Sequence, residues 1–342
     1  MTTRLQRIAV LRALPGLGDL LCAVPALRAL RVAHPEASIT LVGLARAGWF
    51  VARFSHLVDH LLVLEGVSGV PEITPDPEAC RRFVVRARAR QFDLALQLHG
   101  SGVASNAVLE LLGARRQGGA HLPGQAVPRG TSVPYPPGVP EIHRLLAVVA
   151  AVGCPPQGDE LELPLEPVEE RIAARMTAGA LAATGGYTCL HPGASRPERC
   201  WSPRGFAAVA DHLVGLGRPV LLTGSVADRE QVAAMRRAMT AEPELQQRLL
   251  CDVTGCTSVG VLGALYGGAD LVVTNHTGAS HVAVAVKARS VVVGGFHEPG
   301  RWEPLDRERH RAIAVGNAED VMRVLGAVDE QLNRGRALDA LV

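Results

Sequence analysis

The stretch Val272–His281, VVTNHTGASH, begins as the end of a buried strand, breaks into small polar residues and leads into the apolar run Val282–Val286. A strand that stops at hydroxyls, imidazoles and one glycine, then gives way to a helix, is the unit from which helix-covered parallel sheets are built. Where that unit recurs along a chain the fold is doubly wound α/β, and ligands bind beyond the carboxyl ends of its strands.

The unit does recur. Arg7–Arg12 reads as a strand, followed by a helix from Asp19 to Ala33 on which Leu20, Val24, Leu27 and Leu30 repeat at helical spacing. Ser38–Val42, Leu61–Leu64 and Leu94–Leu98 read as further strands. The Gly- and Pro-rich stretch Gly118–Pro140 has little periodicity and reads as a long loop. Gly153-Cys154-Pro155-Pro156 and Leu163-Pro164-Leu165-Glu166-Pro167 then punctuate the chain as a linker. Beyond it Tyr187–Leu190, Val220–Thr223, Leu271–Thr274 and Ser290–Val293 read as strands. Pro203–Leu216 reads as an amphipathic helix with Phe206, Val209 and Leu213 on one face. The expectation is two Rossmann-like domains, residues 1–160 and 161–317, with 318–342 as a terminal helix returning to the first.

Composition narrows the function. The chain of 342 residues balances 35 basic against 33 acidic side chains, and a net charge of +2 offers no broad field for nucleic acid. Seven cysteines, none in a C-x-x-C, point to reduced thiols in a cytosol rather than a disulfide framework or a zinc site. The opening residues lack a signal-peptide pattern, and no apolar run approaches the roughly 20 residues that span a bilayer. A cytoplasmic protein is expected, attached at most to the inner membrane surface.

Four strand ends carry candidate chemistry. After the first comes Leu14-Pro15-Gly16-Leu17-Gly18-Asp19. The third glycine of a dinucleotide fingerprint would fall on Leu21, so a NAD site is rejected. Gly16 and Gly18 still permit close backbone approach, and Asp19 is either a helix cap or a general base facing a ligand. Pro25 bears on that choice: a regular helix beginning near Cys22 would leave Gly16–Leu21 as an irregular elbow presenting Asp19.

After Leu190 comes His191-Pro192-Gly193-Ala194-Ser195-Arg196-Pro197-Glu198-Arg199, whose glycine turn, hydroxyl and guanidiniums suit a diphosphate. After Thr223, Asp228 can accept from ribose hydroxyls or simply favour a helix N-terminus. In the opening stretch Thr277, Gly278 and the following amides form an anion nest, with His276 and His281 beside it. Those histidines are five apart, unlike the zinc-binding H-E-x-x-H, and the chain has no D-x-D. A metal-independent site with no cofactor is expected.

Taken in order, these residues resemble the bacterial heptosyltransferases, glycosyltransferase family nine, which transfer heptose from ADP-heptose to the lipopolysaccharide core. The resemblance runs through Ile8-Ala9-Val10-Leu11-Arg12, Gly18-Asp19, Pro25-Ala26-Leu27 and His34-Pro35-Glu36-Ala37. It continues in His191–Ser195, Arg199-Cys200-Trp201, Thr277–His281 and Arg301-Trp302-Glu303-Pro304. It implies a GT-B fold, two Rossmann-like domains facing a central cleft, and inverting transfer with Asp19 as base. It further implies that Ser195 and Arg199 bind phosphates, Asp228 the ribose and the loop around Thr257 the adenine. Thr277, Gly278 and His281 match a D-T-G-x-x-H segment whose aspartate is His276 here, and Arg199 stands where many members have lysine. The implied partners are an ADP-linked sugar and a saccharide or glycolipid acceptor, with peripheral membrane contact. A sugar-nucleotide epimerase or hydrolase, and a non-catalytic nucleotide-sugar-binding protein, are the other readings.

Overall fold

The computed structural model describes residues 5–125, 130–194, 200–295, 300–316 and 320–339. The chain divides into two compact units, Met1–Glu160 and Leu161–Val342.

In the first unit the order is β1 (Arg7–Leu11), α1 (Leu17–Leu21), α2 (Val24–Ala33), β2 (Ser38–Gly43), α3 (Gly48–Arg53), β3 (His60–Val63), α4 (Pro77–Ala89), β4 (Leu94–Gln97), α5 (Asn106–Leu112), β5 (Arg116–His121), β6 (Gly130–Pro134) and α6 (Glu141–Ala151). The strands pair in parallel in the order β3-β2-β1-β4-β5-β6. Leu11 lies between Val42 and Gln97 in register. Ile8, Ala9, Val10 and Leu94–Leu96 are fully buried, as near-continuous apolar strands covered on both faces must be.

The helix expected from Asp19 to Ala33 is two helices. It breaks at Cys22-Ala23, and Pro25 falls in the first turn of α2, where its missing N–H costs little. The elbow before it is therefore a short helix, α1, rather than irregular chain.

The loop expected over Gly118–Pro140 is a correction. It contains most of β5 and all of β6, paired from Gln117↔Gly130 to His121↔Pro134. Glycine is there because nothing larger fits. A Cβ on Gly118 would stand 2.9 Å from both Leu96 and Val152, and one on Gly130 would meet the Gln117 carbonyl. Close packing uses the residue that sequence patterns assign to turns.

The second unit runs α7 (Pro167–Thr184), β7 (Thr188–His191), α8 (Pro203–Gly215), β8 (Val220–Leu222), α9 (Arg229–Ala238), α10 (Pro243–Leu249), β9 (Leu250–Asp252), α11 (Val259–Gly267), β10 (Leu271–Asn275), α12 (Gly278–Ala285), β11 (Ser290–Gly294), β12 (His310–Ala314) and α13 (Asp320–Asp339). Its parallel strands follow the order β12-β11-β10-β7-β8-β9. Counted from its own first strand, this repeats the order of the first sheet. β9 and β12 are short or largely exposed rather than continuous buried runs, and went unread in the sequence. Val324, Ala327, Val328 and Leu332 of α13 enter the core formed by α8, β7, β8, β10 and β11.

Each sheet reverses direction once, between β1 and β4 and between β7 and β10. Those are the switch points, where the flanking loops part to leave a ligand crevice.

Candidate active site

At the first switch point β1 is followed by Arg12, whose side chain is fully buried. Its Nε donates to the Asp19 carbonyl at 2.7 Å, and Nη1 donates to the Leu98 carbonyl and to Glu141 Oε1 at 3.0 Å. Glu141, the first residue of α6 and 2% exposed, also lies 3.5 Å from Arg144. Arg144 in turn donates to the Tyr135 hydroxyl and stacks over its ring at 4.2 Å. Bonded through Nε and Nη1, this buried guanidinium fixes the main chain of the Gly16–Asp19 turn. From within the turn, Asp19 Oδ2 accepts the Gly16 N–H at 3.0 Å. A side chain on Gly16 would strike that carboxylate. Asp19 is half-buried at the third position of α1, so it both caps its helix and lies at the switch-point edge.

His99, just past β4, completes this edge. Its Nδ1 accepts the Ala13 N–H at 3.1 Å, which places the ring proton on Nε2, 3.5 Å from Glu72 Oε2. Burial pushes its pKa down to about 4; the Arg12 guanidinium adds to the shift and Glu141 opposes it. In the second unit burial likewise pushes His310 down to about 4. Both rings are neutral when folded and titrate near 6.5 when unfolded. Between those values the unfolded chain holds protons that the folded chain lacks, so stability falls as the pH drops. Each ring is expected to cost about 2 kcal/mol between pH 7 and pH 5. Urea midpoints at the two pH values test this, with His99→Gln and His310→Gln each flattening the dependence.

At the second switch point the binding face is assembled from β7, β8 and β10. His191 Nδ1 lies 3.1 Å from both the Thr223 and Tyr266 hydroxyls, and burial lowers its pKa to about 4. Asp228 Oδ2 accepts from the Ser225 N–H and hydroxyl, each at 2.7 Å. Gly193 approaches that carboxylate so closely that a Cβ there would sit 2.2 Å from it. The glycine of one strand end and the acid of the next are thus in direct contact.

Asn275, the last residue of β10, is wholly buried and was not singled out in the sequence. Its Oδ1 accepts the Trp201 N–H at 2.8 Å, and its Nδ2 donates to the Pro192 and Gly193 carbonyls at 2.7 and 3.2 Å. One amide therefore clamps both ends of the segment that contains Ser195 and Arg199, two candidates that lie outside the described residues. Asn275→Asp keeps the acceptor but turns the donor into an oxygen facing two carbonyls. The expected loss is about 1–3 kcal/mol for each buried group left unsatisfied, read from chemical denaturation, with nucleotide affinity falling in parallel. A neutral result would remove Asn275 from the site.

Thr277 caps α12, accepting the Ala279 N–H at 3.4 Å, while the buried Ser280 hydroxyl donates to the Thr277 carbonyl. His276, where the resembling family has an acid, donates through Nε2 to the Trp302 carbonyl at 3.1 Å. A carboxylate has no proton for that contact, so the histidine ties down a segment an aspartate would leave. Trp302 also stands edge-on to His281 at 6.4 Å, with Arg301 stacked on it at 4.6 Å. Thr257 lies half-buried in the β9–α11 connection, two strands out from the switch point.

The structure thus groups His191, Gly193, Asp228 and Asn275–Thr277 on the second unit, and Gly16, Gly18 and Asp19 on the first. The sequence reading missed Arg12, His99, Glu141 and Asn275 as site residues. The one local signal was a charged residue directly after the apolar run Ile8–Leu11. Among the described residues no three His, Cys, Asp or Glu gather to hold a metal ion, and no helix is long and apolar enough to cross a membrane.

The family model of glycosyltransferase family 9 (heptosyltransferase) matches residues 80–326. Comparison with curated proteins gives no match. Among solved structures, the chain is similar to the ADP-heptose lipopolysaccharide heptosyltransferase II of E. coli at 20% identity, covering 97% of this chain and 100% of that one with a TM-score of 0.76. A family 9 glycosyl transferase of Veillonella parvula is 19% identical over 98% and 99% of the two chains, with a TM-score of 0.75. E. coli heptosyltransferase WaaC with ADP is 16% identical over 95% and 100%, with a TM-score of 0.68. At such identities the likeness shows the fold, which is GT-B.

Proposed function

The chain belongs to glycosyltransferase family 9, the heptosyltransferases, and is a glycosyltransferase; from that premise we propose that it moves heptose or a related sugar, with inversion and without a metal, from an ADP-linked donor to a saccharide or glycolipid acceptor. The observation that carries the reading is the pairing of roles with switch points. One sheet is followed by a turn whose main chain is held by a buried guanidinium and which carries the Asp19 carboxylate; the other ends in a glycine turn, an acid and a helix N-terminus.

In this mechanism Asp19 takes the proton of an acceptor hydroxyl as its oxygen attacks the anomeric carbon. A carboxylate is a weak base for an alcohol, so proton transfer must be coupled to bond formation. The bond to the nucleoside diphosphate breaks on the opposite face, and negative charge develops on the β-phosphate. Ser195, Arg199 and the amides opening α12 at Thr277–Gly278 stabilise that charge. Asp228 accepts from the ribose and the Thr257 loop borders the adenine. An E. coli relative of the same fold was solved with ADP, and another is described as an ADP-heptose enzyme, which supports an adenine donor. The acceptor side, including contact with a membrane surface, is assigned to the first unit.

A thermal-shift panel of ADP-, UDP-, GDP- and dTDP-sugars tests the donor. A ligand at a hundred times its Kd stabilises the folded state by about 2.7 kcal/mol, and the ADP-sugar is expected to give the largest shift. ADP release should then require an acceptor saccharide. Donor turnover without one would indicate an epimerase or hydrolase, and binding without turnover a non-catalytic protein.

A further inference from the structure

The second sheet has another end. Just before its strands, at the edge away from His191 and Asn275, the chain encloses a cavity of ≈ 680 Å³. The residues around it precede strands: Arg218 before β8, Asp270 before β10, Lys287 and Arg289 before β11, Arg309 before β12. Leu332 and Gly335 of α13 form one wall. Four cationic side chains and one carboxylate therefore share a space of ligand size, in a chain whose charges otherwise nearly cancel.

Three of the four cations are anchored. Arg218 pairs with Asp270 at 2.9 Å. Arg309 donates to the Lys287 carbonyl at 2.8 Å and pairs with Asp306 at 3.7 Å. Arg289 donates to Gln331 at 3.4 Å and passes 3.7 Å from where a Cβ on Gly335 would be. Lys287 differs. Among the described residues its ammonium makes no hydrogen bond or ion pair.

Lys287 is also the sole lysine in the chain, where every other basic side chain counted is arginine. It sits in the left-handed region at φ +58°, in the turn that closes α12. There the Lys287 N–H bonds Val284 and the Ala288 N–H bonds Ala283, the pattern in which glycine is usual and other residues are strained by about 1–2 kcal/mol. A strained, exposed, unpaired ammonium beside three fixed guanidinium forks is an arrangement that recognises phosphate oxygens.

We propose that this cavity binds a compact phosphorylated anion, free or as a headgroup, at a site separate from the donor site. The lone lysine supplies the assay. In the full-length protein the rate at which an amine-reactive acylating reagent modifies Lys287 is read by peptide mass spectrometry. Pyrophosphate at ten times its Kd is expected to slow that rate about tenfold, relative to sodium chloride of equal ionic strength. Phosphatidylcholine vesicles with and without phosphatidic acid form the second arm. Slowing by pyrophosphate identifies a free anion, and slowing only by phosphatidic acid identifies a headgroup. In either case Arg289→Gln is expected to reduce the protection severalfold while leaving nucleotide binding unchanged. Should that variant fail to fold, Arg309→Gln serves the same purpose. Protection no greater than with chloride and plain vesicles, or protection that the folded variant retains in full, overturns the site.

Discussion

Asp19→Asn is expected to bind an ADP-linked sugar as the parent does and to transfer it 10²–10⁴-fold more slowly, the range by which a positioned general base accelerates a step. Asparagine is the informative replacement. Its amide oxygen can still accept the Gly16 N–H that Asp19 Oδ2 accepts at 3.0 Å, and the backbone carbonyl remains for Arg12. The turn keeps its geometry and loses only a basic oxygen. Alanine would also delete the helix-capping contact, worth about 1 kcal/mol, and confuse the two effects. Donor affinity by calorimetry and single-turnover rate at saturating acceptor separate binding from chemistry. Unchanged turnover, or binding and turnover lost together, would return Asp19 to the role of a cap.

Glu141 carries the second large effect. Its carboxylate stands between Arg12 and Arg144, all three at most 5% exposed. Glu141→Ala would leave two guanidiniums in the interior with no counter-charge, at a cost of about 3–5 kcal/mol. Urea unfolding should show the loss, and the nucleotide affinity of the protein that remains folded should be unchanged. Turnover should fall as well, because Arg12 holds the Asp19 carbonyl. The pair gives a control: Arg12→Met combined with Glu141→Leu removes both charges and is expected to be less damaging than Glu141→Leu alone. A loss below about 1 kcal/mol for Glu141→Ala would mean that water has already solvated the pair.

Parallel strands buried on both faces leave a plain trace, and Ile8–Leu11, Leu94–Leu96 and Leu271–Val273 could be read as such from sequence alone. Gly118 and Gly130 left a misleading one, since close packing and turning favour the same residue. The site was legible where its residues are neighbours in the chain: Gly16–Asp19, Gly193, Asp228, and the run from His276 to His281. It was illegible where support comes from afar. Arg12 looks like the solvated end of a strand until Glu141 appears beside it, and Asn275 looks like a loop residue until Pro192, Gly193 and Trp201 converge on it. Buried polar partners are chosen in space, and periodicity carries no record of that choice.

The 129-residue separation between Arg12 and Glu141 sets an order of events in the cell. During translation Asp19 leaves the ribosome early, yet the guanidinium meant to grip its carbonyl has no counter-ion until the start of α6 has been made. The first strand, the Gly16–Asp19 turn and the sixth helix must meet before that charge can be taken out of water. A nascent chain ending short of residue 141 would carry Asp19 on an unsecured turn, so the proton abstraction proposed for it becomes possible only as the first unit closes.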